Sequence, residues 1–268
     1  MRTLRVGGMF SGIGAHHSAL RRIMSERDDI SFDVIFQCEF EPKTAMAYDT
    51  IHGMTRNLGD VCDVHDIGGE LAVDILFWTP PCQDISLAGK LKGNKEGSGT
   101  RSALAYEVPR ILANTPERER PKYLIFEEVP MMISSKFMDT FRDILARLTA
   151  LGYRHTYGIM NAADYGVAQS RKRCFMISKL GGPAPPLPKP IPLTKCLRLM
   201  GFNDDEIRRL KNAMNDKGKP LFSRTALYQF AGNSVVVDCY TSIMREVIKD
   251  IERDESGQPR KNTLEAWL

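Results

Sequence analysis

The sequence predicts an α/β fold, a doubly wound and mostly parallel sheet with an antiparallel edge strand. Apolar runs of strand type alternate with segments of helical periodicity from residue 4 onward, which is typical of parallel sheets covered by helices on both faces. In the second half of the chain, two strand-like runs follow one another without a full helix between them. Such a pair can form an antiparallel edge on an otherwise parallel sheet.

The predicted elements follow one another in strict strand and helix succession. Their bounds are Leu4–Phe10 (strand), Ala15–Met24 (helix), Phe32–Cys38 (strand), Pro42–His52 (helix), Val73–Trp78 (strand), Ser102–Ala113 (helix), Tyr123–Phe126 (strand) and Lys136–Leu151 (helix). Proline at the first position favours a helix start at Pro42, and Gly152 is a typical helix terminator. Thr156–Asn161 and Cys174–Ser178 are the two successive strands.

The chain changes character after residue 180. Residues 181–192, GGPAPPLPKPIP, contain two glycines and six prolines, and they therefore predict a linker rather than a helix or a central strand. Helices are predicted beyond it, at Thr194–Phe202, Asp204–Met214 and Val235–Arg253. We expect a catalytic and cofactor-binding domain at 1–180, a linker and reduced small domain at 181–230, a helix returning to the catalytic domain at 231–253, and a frayed tail at 254–268.

The composition is that of an ordinary globular protein. Of 268 residues, 43% are hydrophobic and 26% are charged, and the net charge of +4 permits a nucleic-acid partner without requiring one. The N-terminus lacks a signal peptide and no apolar run has the length of a membrane helix, so we expect a cytoplasmic protein without a membrane partner. The six cysteines lack zinc-site spacing, which predicts reduced thiols and no metal.

A candidate cofactor site begins at FSGIG, residues 10–14, between the first strand and the first helix. Glycines let the backbone pass close to a ligand, and the next helix offers free N–H groups. This stretch alone fits a simple tight turn, because the third glycine of the dinucleotide motif is absent. Glu39 follows the second strand, where a carboxylate can accept hydrogen bonds from ribose hydroxyls, and Asp60 could accept one from an adenine amino group. Together they predict an adenosine-containing cofactor.

A candidate reactive centre lies at the ends of the next two strands. Pro81-Cys82-Gln83 follows the strand Val73–Trp78, and Glu127 follows Tyr123–Phe126. Neighbouring parallel strands deliver their carboxyl ends to one crevice, so a thiol and a carboxylate can meet there. A thiol becomes a useful nucleophile when cationic groups are near. Arg171 and Arg173 alternate along an extended segment and would point to one face, although isolated arginines also fit a solvent-facing role.

Nine motifs, taken in chain order, carry a family resemblance. They are FSGIG, CEFEPKTAMAY, GDV, DILFWTPPCQDIS, GTRSAL, FEEV, NAADYGVAQSRKR, LRLMGF and AGNSVVV. In this order, over about residues 4 to 250, the chain resembles the C5-cytosine-specific DNA methyltransferases. The resemblance implies a Rossmann-like S-adenosylmethionine-dependent methyltransferase fold, duplex DNA with a flipped-out cytosine as the substrate, and no metal.

The resemblance also implies residue roles. The catalytic residues would be Cys82, as the nucleophile that attacks C6 of cytosine, with Glu127, Arg171 and Arg173. The cofactor-binding residues would be Phe10, Gly12, Gly14, Glu39, Phe40, Asp60, Val61, Pro81, Asn233 and Val235. Residues of the substrate loops would be Gln83, Ser86 and Gln169. Covalent addition is needed because cytosine C5 becomes a good nucleophile only after a thiol adds at C6, and the base must leave the duplex to be reached.

One departure from the family pattern is Glu128, which stands where the family has asparagine. An ionised carboxylate only accepts hydrogen bonds, whereas an amide also donates them. A second negative charge beside Glu127 would disfavour a thiolate at Cys82. The alternative expectation is that Glu128 points to solvent or pairs with a neighbouring arginine.

A second departure is the short distance between the last strand and LRLMGF. Only about 18 residues separate Ser178 from Leu197, too few for an independently folded recognition domain, so we expect that domain to be missing. Recognition could come from a separate polypeptide, the protein could methylate with little sequence preference, or the chain could be a deletion product. An RNA cytosine methyltransferase and a non-catalytic S-adenosylmethionine-binding protein are the alternative functions. No histidine motif supports a cysteine hydrolase.

Overall fold

One six-stranded sheet organises the computed structural model, which describes residues 1–81, 101–165, 171–189, 203–223 and 237–256. The strands are β1 (Arg2–Met9), β2 (Ile30–Cys38), β3 (Ile75–Trp78), β4 (Tyr123–Glu128), β5 (Tyr153–Asn161) and β6 (Lys172–Leu180). Their order across the sheet is β2-β1-β3-β4-β6-β5. Strands β1 to β4 pair in parallel, whereas β6 runs antiparallel to both β4 and β5. The predicted α/β fold with an antiparallel pair at one edge is confirmed.

Helices cover both faces of this sheet. They are α1 (Ala15–Glu26), α2 (Pro42–His52), α3 (Glu107–Asn114), α4 (Met138–Ala150), α5 (Asp204–Asn212) and α6 (Val237–Ser256). Because side chains alternate along a strand, Phe77 packs in the core under α1 and α6, and Trp78 packs in the core under α3 and α4. No helix in these ranges is long and apolar enough to span a membrane.

Helix α3 and strand β4 differ from their predicted bounds for identifiable reasons. The helix expected at Ser102–Ala113 starts as a 3₁₀ helix, Arg101–Tyr106, and becomes α-helical only at Glu107. Pro109 lacks an N–H group, so it is tolerated in the first turn of an α-helix but not in its interior. Strand β4 extends two residues beyond Phe126 because β6 pairs alongside it up to Glu128.

The region after residue 180 is only partly described. Residues 181–189 contain no helix or strand, as predicted for the linker, and the helix predicted at 194–202 lies outside the described residues. Helix α5 ends two residues earlier than predicted, because Met214 forms an isolated bridge with Pro220. Helix α6 extends three residues past Arg253. The predicted tail therefore starts too early, since Asp254 is still helical.

A buried polar cluster holds α6 against the sheet. The Lys179 ammonium donates to Asp250 Oδ2 at 2.6 Å and to Asp254 Oδ2 at 2.7 Å, and the Tyr123 hydroxyl donates to the same Asp250 oxygen at 3.1 Å. Lys179 is only 3% exposed and Asp250 1%. A charge this deeply buried requires its partner, so the cluster fixes where α6 lies on β4 and β6.

Removal of the Asp250 carboxylate should therefore destabilise the protein strongly. In Asp250→Ala, Lys179 keeps only the more exposed Asp254 as its partner, and we expect the free energy of unfolding to fall by about 3 kcal/mol or more. Urea unfolding measures this change. The control is Lys249→Ala, which breaks an exposed pair with Glu246 on the same helix and should cost about 1 kcal/mol or less. Equal effects of the two substitutions would contradict the role of the cluster.

Candidate active site

The predicted site residues that the structure describes lie along one edge of the sheet. The parallel strands β1 to β4 all end there, and β6 begins there because it runs in the opposite direction. The FSGIG turn follows β1, Glu39 follows β2, Thr79 follows β3, and Glu127 lies near the end of β4. Arg173 lies near the start of β6. Polar groups distant in sequence thus share one crevice.

The FSGIG turn has the backbone geometry of a ligand loop. Phe10, Gly12 and Gly14 have φ angles of 58°, 53° and 79°, a left-handed conformation that favours glycine. A Cβ atom at Gly12 would meet nothing within 4 Å, whereas one at Gly14 would lie 2.5 Å from His52 Nε2. Gly12 therefore borders open space, and Gly14 allows the turn to approach α2.

Glu39 connects this turn to the start of α2. Its Oε2 accepts a hydrogen bond from the Gly12 amide at 3.0 Å, and its Oε1 accepts one from the Glu41 amide at 3.0 Å. Burial raises the pKa of Glu39, and the backbone N–H groups of Glu41 and Gly12 partly offset this effect. Each carboxylate oxygen keeps a lone pair for a further donor, so Glu39 can hold a ligand hydroxyl as well as the loop.

Asn57 was not identified from the sequence, yet it positions Glu39. Its side-chain oxygen accepts from the Glu39 and Gly59 amides at 3.0 Å each, and its side-chain amide donates to the Glu39 carbonyl at 3.0 Å. Asparagine bonded to a backbone amide two residues on is a known turn signal, and Asn57 with Gly59 carries it. This turn leads directly to Asp60.

The residues around Asp60 form the outer side of the candidate cofactor site. The Asp60 side chain caps a short 3₁₀ helix by accepting from the Cys62 amide at 2.9 Å. Val61 is buried beneath it, while the Phe40 ring is 70% exposed. An exposed aromatic ring offers a stacking surface for a planar heterocycle, and an exposed carboxylate offers a hydrogen-bond acceptor.

Three histidines lie behind the turn. Burial lowers the pKa of His16 to about 3, of His17 to about 4 and of His52 to about 2. They are therefore neutral at physiological pH. His52 Nε2 lies 3.0 Å from the Ile13 carbonyl oxygen, and its ring stacks on His17 at a centroid distance of 4.3 Å. Their contacts support the turn.

The carboxylate of Glu127 forms a buried ion pair. Arg173 Nε lies 2.9 Å from Glu127 Oε1, and Glu127 is 7% exposed. Burial raises the pKa of Glu127, while the charges of Arg173 and Arg171 lower it in part. Both arginines are therefore close enough to act on this carboxylate, as expected from their alternation along the extended segment.

Glu128 lies on the opposite face of β4 from Glu127. It is 2% exposed, so the expectation that it points to solvent is wrong. Its Oε2 accepts from the Val129 amide at 2.6 Å, and its Oε1 has no hydrogen-bond partner within the described ranges. Burial raises the pKa of Glu128 well above its ordinary value, and the neighbouring charge of Glu127 raises it further.

No ion pair joins Glu128 to an arginine in the part of the chain that the structure describes. The reason is geometric. Arg173 shares the face of Glu127, whereas alternation along β4 directs Glu128 toward the core that contains Trp78 and Phe126. Arginine pairing is therefore also wrong for the described residues.

Several predicted site residues lie outside the described residues: Cys82, Gln83, Ser86, Gln169, Asn233 and Val235. The last described residue before the thiol is Pro81. Thr79, two residues earlier, was not identified from the sequence. Its hydroxyl donates to the Phe10 carbonyl at 2.9 Å, so it ties the end of β3 to the FSGIG turn. No group of three or more potential metal ligands occurs in the described ranges.

Comparison with known proteins finds similar methyltransferases. The family described as C-5 cytosine-specific DNA methylase matches residues 4–183. The orphan methyltransferase M.SssI of Spiroplasma monobiae is 40% identical over 129 residues, covering 47% of this chain and 33% of that protein. The type II methyltransferase M.Sau3AI of Staphylococcus aureus is 31% identical over 188 residues, covering 66% of this chain and 43% of that protein. The matches span less than half the length of these relatives.

Solved structures show the same fold. The Entamoeba histolytica methyltransferase EhMeth superposes with a TM-score of 0.66 at 16% identity, over 94% of this chain and 99% of that one. The Dnmt2 methyltransferase of S. pombe superposes with a TM-score of 0.51 at 21% identity, over 68% and 51% of the two chains. The predicted Rossmann-like methyltransferase fold is thus confirmed. Because the family match covers more than half of its residues, the chain belongs to the C-5 cytosine-specific DNA methylase family.

Proposed function

We propose that this protein transfers a methyl group from S-adenosylmethionine to C5 of a flipped-out cytosine in DNA. The observation that carries the proposal is the buried pair of Glu127 and Arg173, 2.9 Å apart, on the edge where β3 leads to Pro81 and Cys82. Within a C-5 cytosine-specific DNA methylase, this pair would supply an acceptor and a donor to the cytosine that the proposed nucleophile attacks. The FSGIG turn lies on the same edge.

The groups beside that turn fit S-adenosylmethionine. Gly12 borders open space, the Glu39 carboxylate has lone pairs for ribose hydroxyls, and Phe40 is exposed for stacking on adenine. Asp60 would accept from the adenine amino group. Phe10, Gly14, Val61, Pro81, Asn233 and Val235 complete the proposed set of cofactor-binding residues. When bound, the cofactor supplies an electrophilic methyl group.

The remaining residues would act on the cytosine. The Cys82 thiolate would bond to C6, which makes C5 nucleophilic enough to take the methyl group and leaves S-adenosylhomocysteine as the product. A base from solvent would then take the C5 proton, and the electrons of that C–H bond would re-form the C5–C6 double bond and expel the Cys82 thiolate. Glu127 would hydrogen-bond N3 and the exocyclic amine, Arg173 would reach the carbonyl oxygen, and Arg171 would support the surroundings of the thiol. Gln83, Ser86 and Gln169 would contact the substrate. Flipping the base costs about a few kcal/mol, which contacts in the pocket offset.

We propose that a separate polypeptide supplies target recognition. The matched relatives are longer than the shared region, and the sequence between Ser178 and Leu197 is too short for a recognition domain of its own. Backbone phosphate contacts position a duplex without specifying its sequence. Without a partner, we therefore expect weak and poorly specific methylation of DNA.

A methyl-transfer assay tests this function. The full chain and Cys82→Ala are incubated with radiolabelled S-adenosylmethionine and either unmodified genomic DNA or tRNA, with cofactor binding measured by calorimetry. We expect the wild type to transfer methyl groups to DNA. Cys82→Ala should abolish this transfer, whereas Cys62→Ala, which changes an exposed thiol, should retain it. Equal transfer by Cys82→Ala would refute the nucleophile, and transfer to tRNA alone would make RNA the substrate. Cofactor binding without transfer by the wild type would refute activity of the chain alone.

The burial of Glu128 supports the proposal. Burial favours the uncharged form of Glu128, which would add no second negative charge beside Glu127 and whose O–H group would donate a hydrogen bond as an amide does. The raised pKa follows first from burial and then from the charge of Glu127. The glutamate in place of the family's asparagine is therefore compatible with a thiolate nearby.

Glutamine at this position should flatten the pH dependence of stability. The folded-state pKa of Glu128 lies well above its ordinary value of 4.5. The protonated side chain therefore contributes its full stability below pH 4.5, and this contribution is lost as pH rises through the folded-state pKa. The wild type should lose up to about 1.4 kcal/mol per pH unit relative to Glu128→Gln over that range. Urea unfolding between pH 4 and pH 9 measures the difference.

A matched control is Glu41→Gln. The Thr44 hydrogen bond lowers the pKa of Glu41, so its contribution is present above the ordinary pKa and is lost as pH falls. This variant should alter only the acidic side of the profile. Parallel profiles for the wild type and Glu128→Gln would show that folding leaves the pKa of Glu128 unchanged, which would contradict this account.

A further inference from the structure

Tyr240 of α6 lies against the centre of the sheet, directly under the candidate site. It is 1% exposed. Its ring packs edge-on against Phe77 of β3 at a centroid distance of 4.8 Å and against Phe175 of β6 at 6.0 Å. Strand β4 runs between those two strands. The phenol ring therefore covers β4 from the side of α6.

The hydroxyl of Tyr240 is directed toward the carboxyl edge. Thr79 is two residues beyond Phe77, and Arg173 is two residues before Phe175 on the antiparallel strand. Each shares the face of the aromatic residue that Tyr240 contacts. Glu127 lies between them on β4, opposite Phe175. The charge of Glu127 raises the pKa of Tyr240, and the Thr79 side chain lowers it. The hydroxyl is therefore near both residues, in the layer of polar side chains above the aromatic rings.

The Tyr240 hydroxyl makes no hydrogen bond of regular geometry to the described residues, although a buried phenol ordinarily has one. The Thr79 hydroxyl is near enough to lower the pKa of Tyr240, and its oxygen is a neutral acceptor. Burial, followed by the charge of Glu127, raises the pKa of Tyr240 well above the ordinary value, so the phenol remains protonated. The Thr79 hydroxyl already donates to the Phe10 carbonyl. The strongest acceptor in this layer is the Glu127 carboxylate, whose Oε1 lies 2.9 Å from Arg173 Nε.

We propose that Tyr240 is a positioning residue for the methyl-transfer site, whose hydroxyl donates a hydrogen bond to the Glu127 carboxyl group. The Tyr240 hydroxyl would bind the Glu127 carboxyl group from α6, on the face of the sheet, while Arg173 binds it from the neighbouring strand β6. Hydrogen bonds at catalytic groups are often open in the free protein and close when the site is filled. This inference rests on the proposed function, because it takes Glu127 as the catalytic carboxylate.

A tyrosine-to-phenylalanine substitution separates the hydroxyl from the ring. The titration of Glu127 is obtained from the pH dependence of unfolding, as the difference between a protein and its Glu127→Gln variant, with and without S-adenosylhomocysteine. Within the described ranges, the other titratable groups near Glu127 are Arg171, Arg173, Glu128 and Cys174, and Cys239 is also near Tyr240. They are the same in both backgrounds, so they cancel in this comparison.

Tyr240→Phe removes a donor that favours the charged carboxylate, and the Glu127 midpoint should therefore move to higher pH. The Glu127 midpoint should shift by about half to one pH unit, with or without S-adenosylhomocysteine or in both cases, which corresponds to the loss of one neutral hydrogen bond. The kcat for methyl transfer should fall about two- to tenfold, without a matching loss of cofactor affinity.

Tyr153→Phe is the matched control. Tyr153 is also buried, but its hydroxyl donates to the Pro121 carbonyl at 2.7 Å, away from Glu127. This variant should lower the urea midpoint and leave the Glu127 titration and kcat unchanged. If Tyr240→Phe leaves the Glu127 midpoint unchanged in both conditions, the inference is wrong, whatever the activity. If the midpoint moves while the wild type transfers no methyl group, the hydrogen bond stands and the proposed function fails.

Discussion

The reversed direction of β6 is the constraint on which the candidate site depends. Glu127 lies near the end of β4, and Arg173 lies near the start of β6. These two positions meet at one edge only because the strands are antiparallel. A parallel strand in the same place would deliver its first residues to the opposite edge, and Glu127 would be buried without this cation. An unpaired buried carboxylate is costly, so topology and charge pairing support each other here.

The same edge of the sheet carries both the residues proposed to bind the cofactor and those proposed to bind the substrate. On the cofactor side, Glu39 binds the amides of Gly12 and Glu41, and Asn57 holds Glu39 in turn. On the substrate side, Arg173 holds Glu127. Thr79 connects the two, since its hydroxyl donates to the Phe10 carbonyl from the end of β3. Both ligands of the proposed reaction would thus contact one hydrogen-bonded frame.

An aromatic layer lies under this polar frame. Phe77, Phe175 and Tyr240 pack edge to face beneath it, and the buried cluster of Lys179 and Asp250 fixes α6, which carries Tyr240. Rigid support of this kind keeps catalytic groups in place. The helix that closes the described chain therefore bears on the geometry of the opposite edge.

Local patterns in the sequence were sufficient for most of the architecture. Alternating periodicity identified the strands and helices of the sheet, and α2 starts at Pro42 as the proline indicates. The positions of Glu39 and Glu127 at strand ends followed from the same pattern. Pairing between distant segments was not visible: β4 is longer than predicted because β6 lies beside it, and this added pairing buries Glu128.

Side-chain contacts between elements that are distant in sequence could not be predicted from the sequence either. Thr79 has no signal of its own, and Tyr240 fits an ordinary core position of an apolar helix face. Their importance follows from contacts across 69 residues in the first case, with Phe10, and across strands β3, β4 and β6 in the second. Asn57 is different, because its spacing to Gly59 is a turn signal that the sequence does contain.

The central claim is that Cys82 reaches a cytosine at the edge formed by Glu127 and Arg173. The most direct measurement is the intact mass of the full chain after incubation with S-adenosylmethionine and a duplex containing 5-fluorocytosine, followed by peptide mapping. Because fluorine cannot leave as a proton does, the account predicts a stable covalent complex with DNA attached at Cys82. A chain that binds the cofactor and keeps its unmodified mass, or one modified at another residue, would contradict the account.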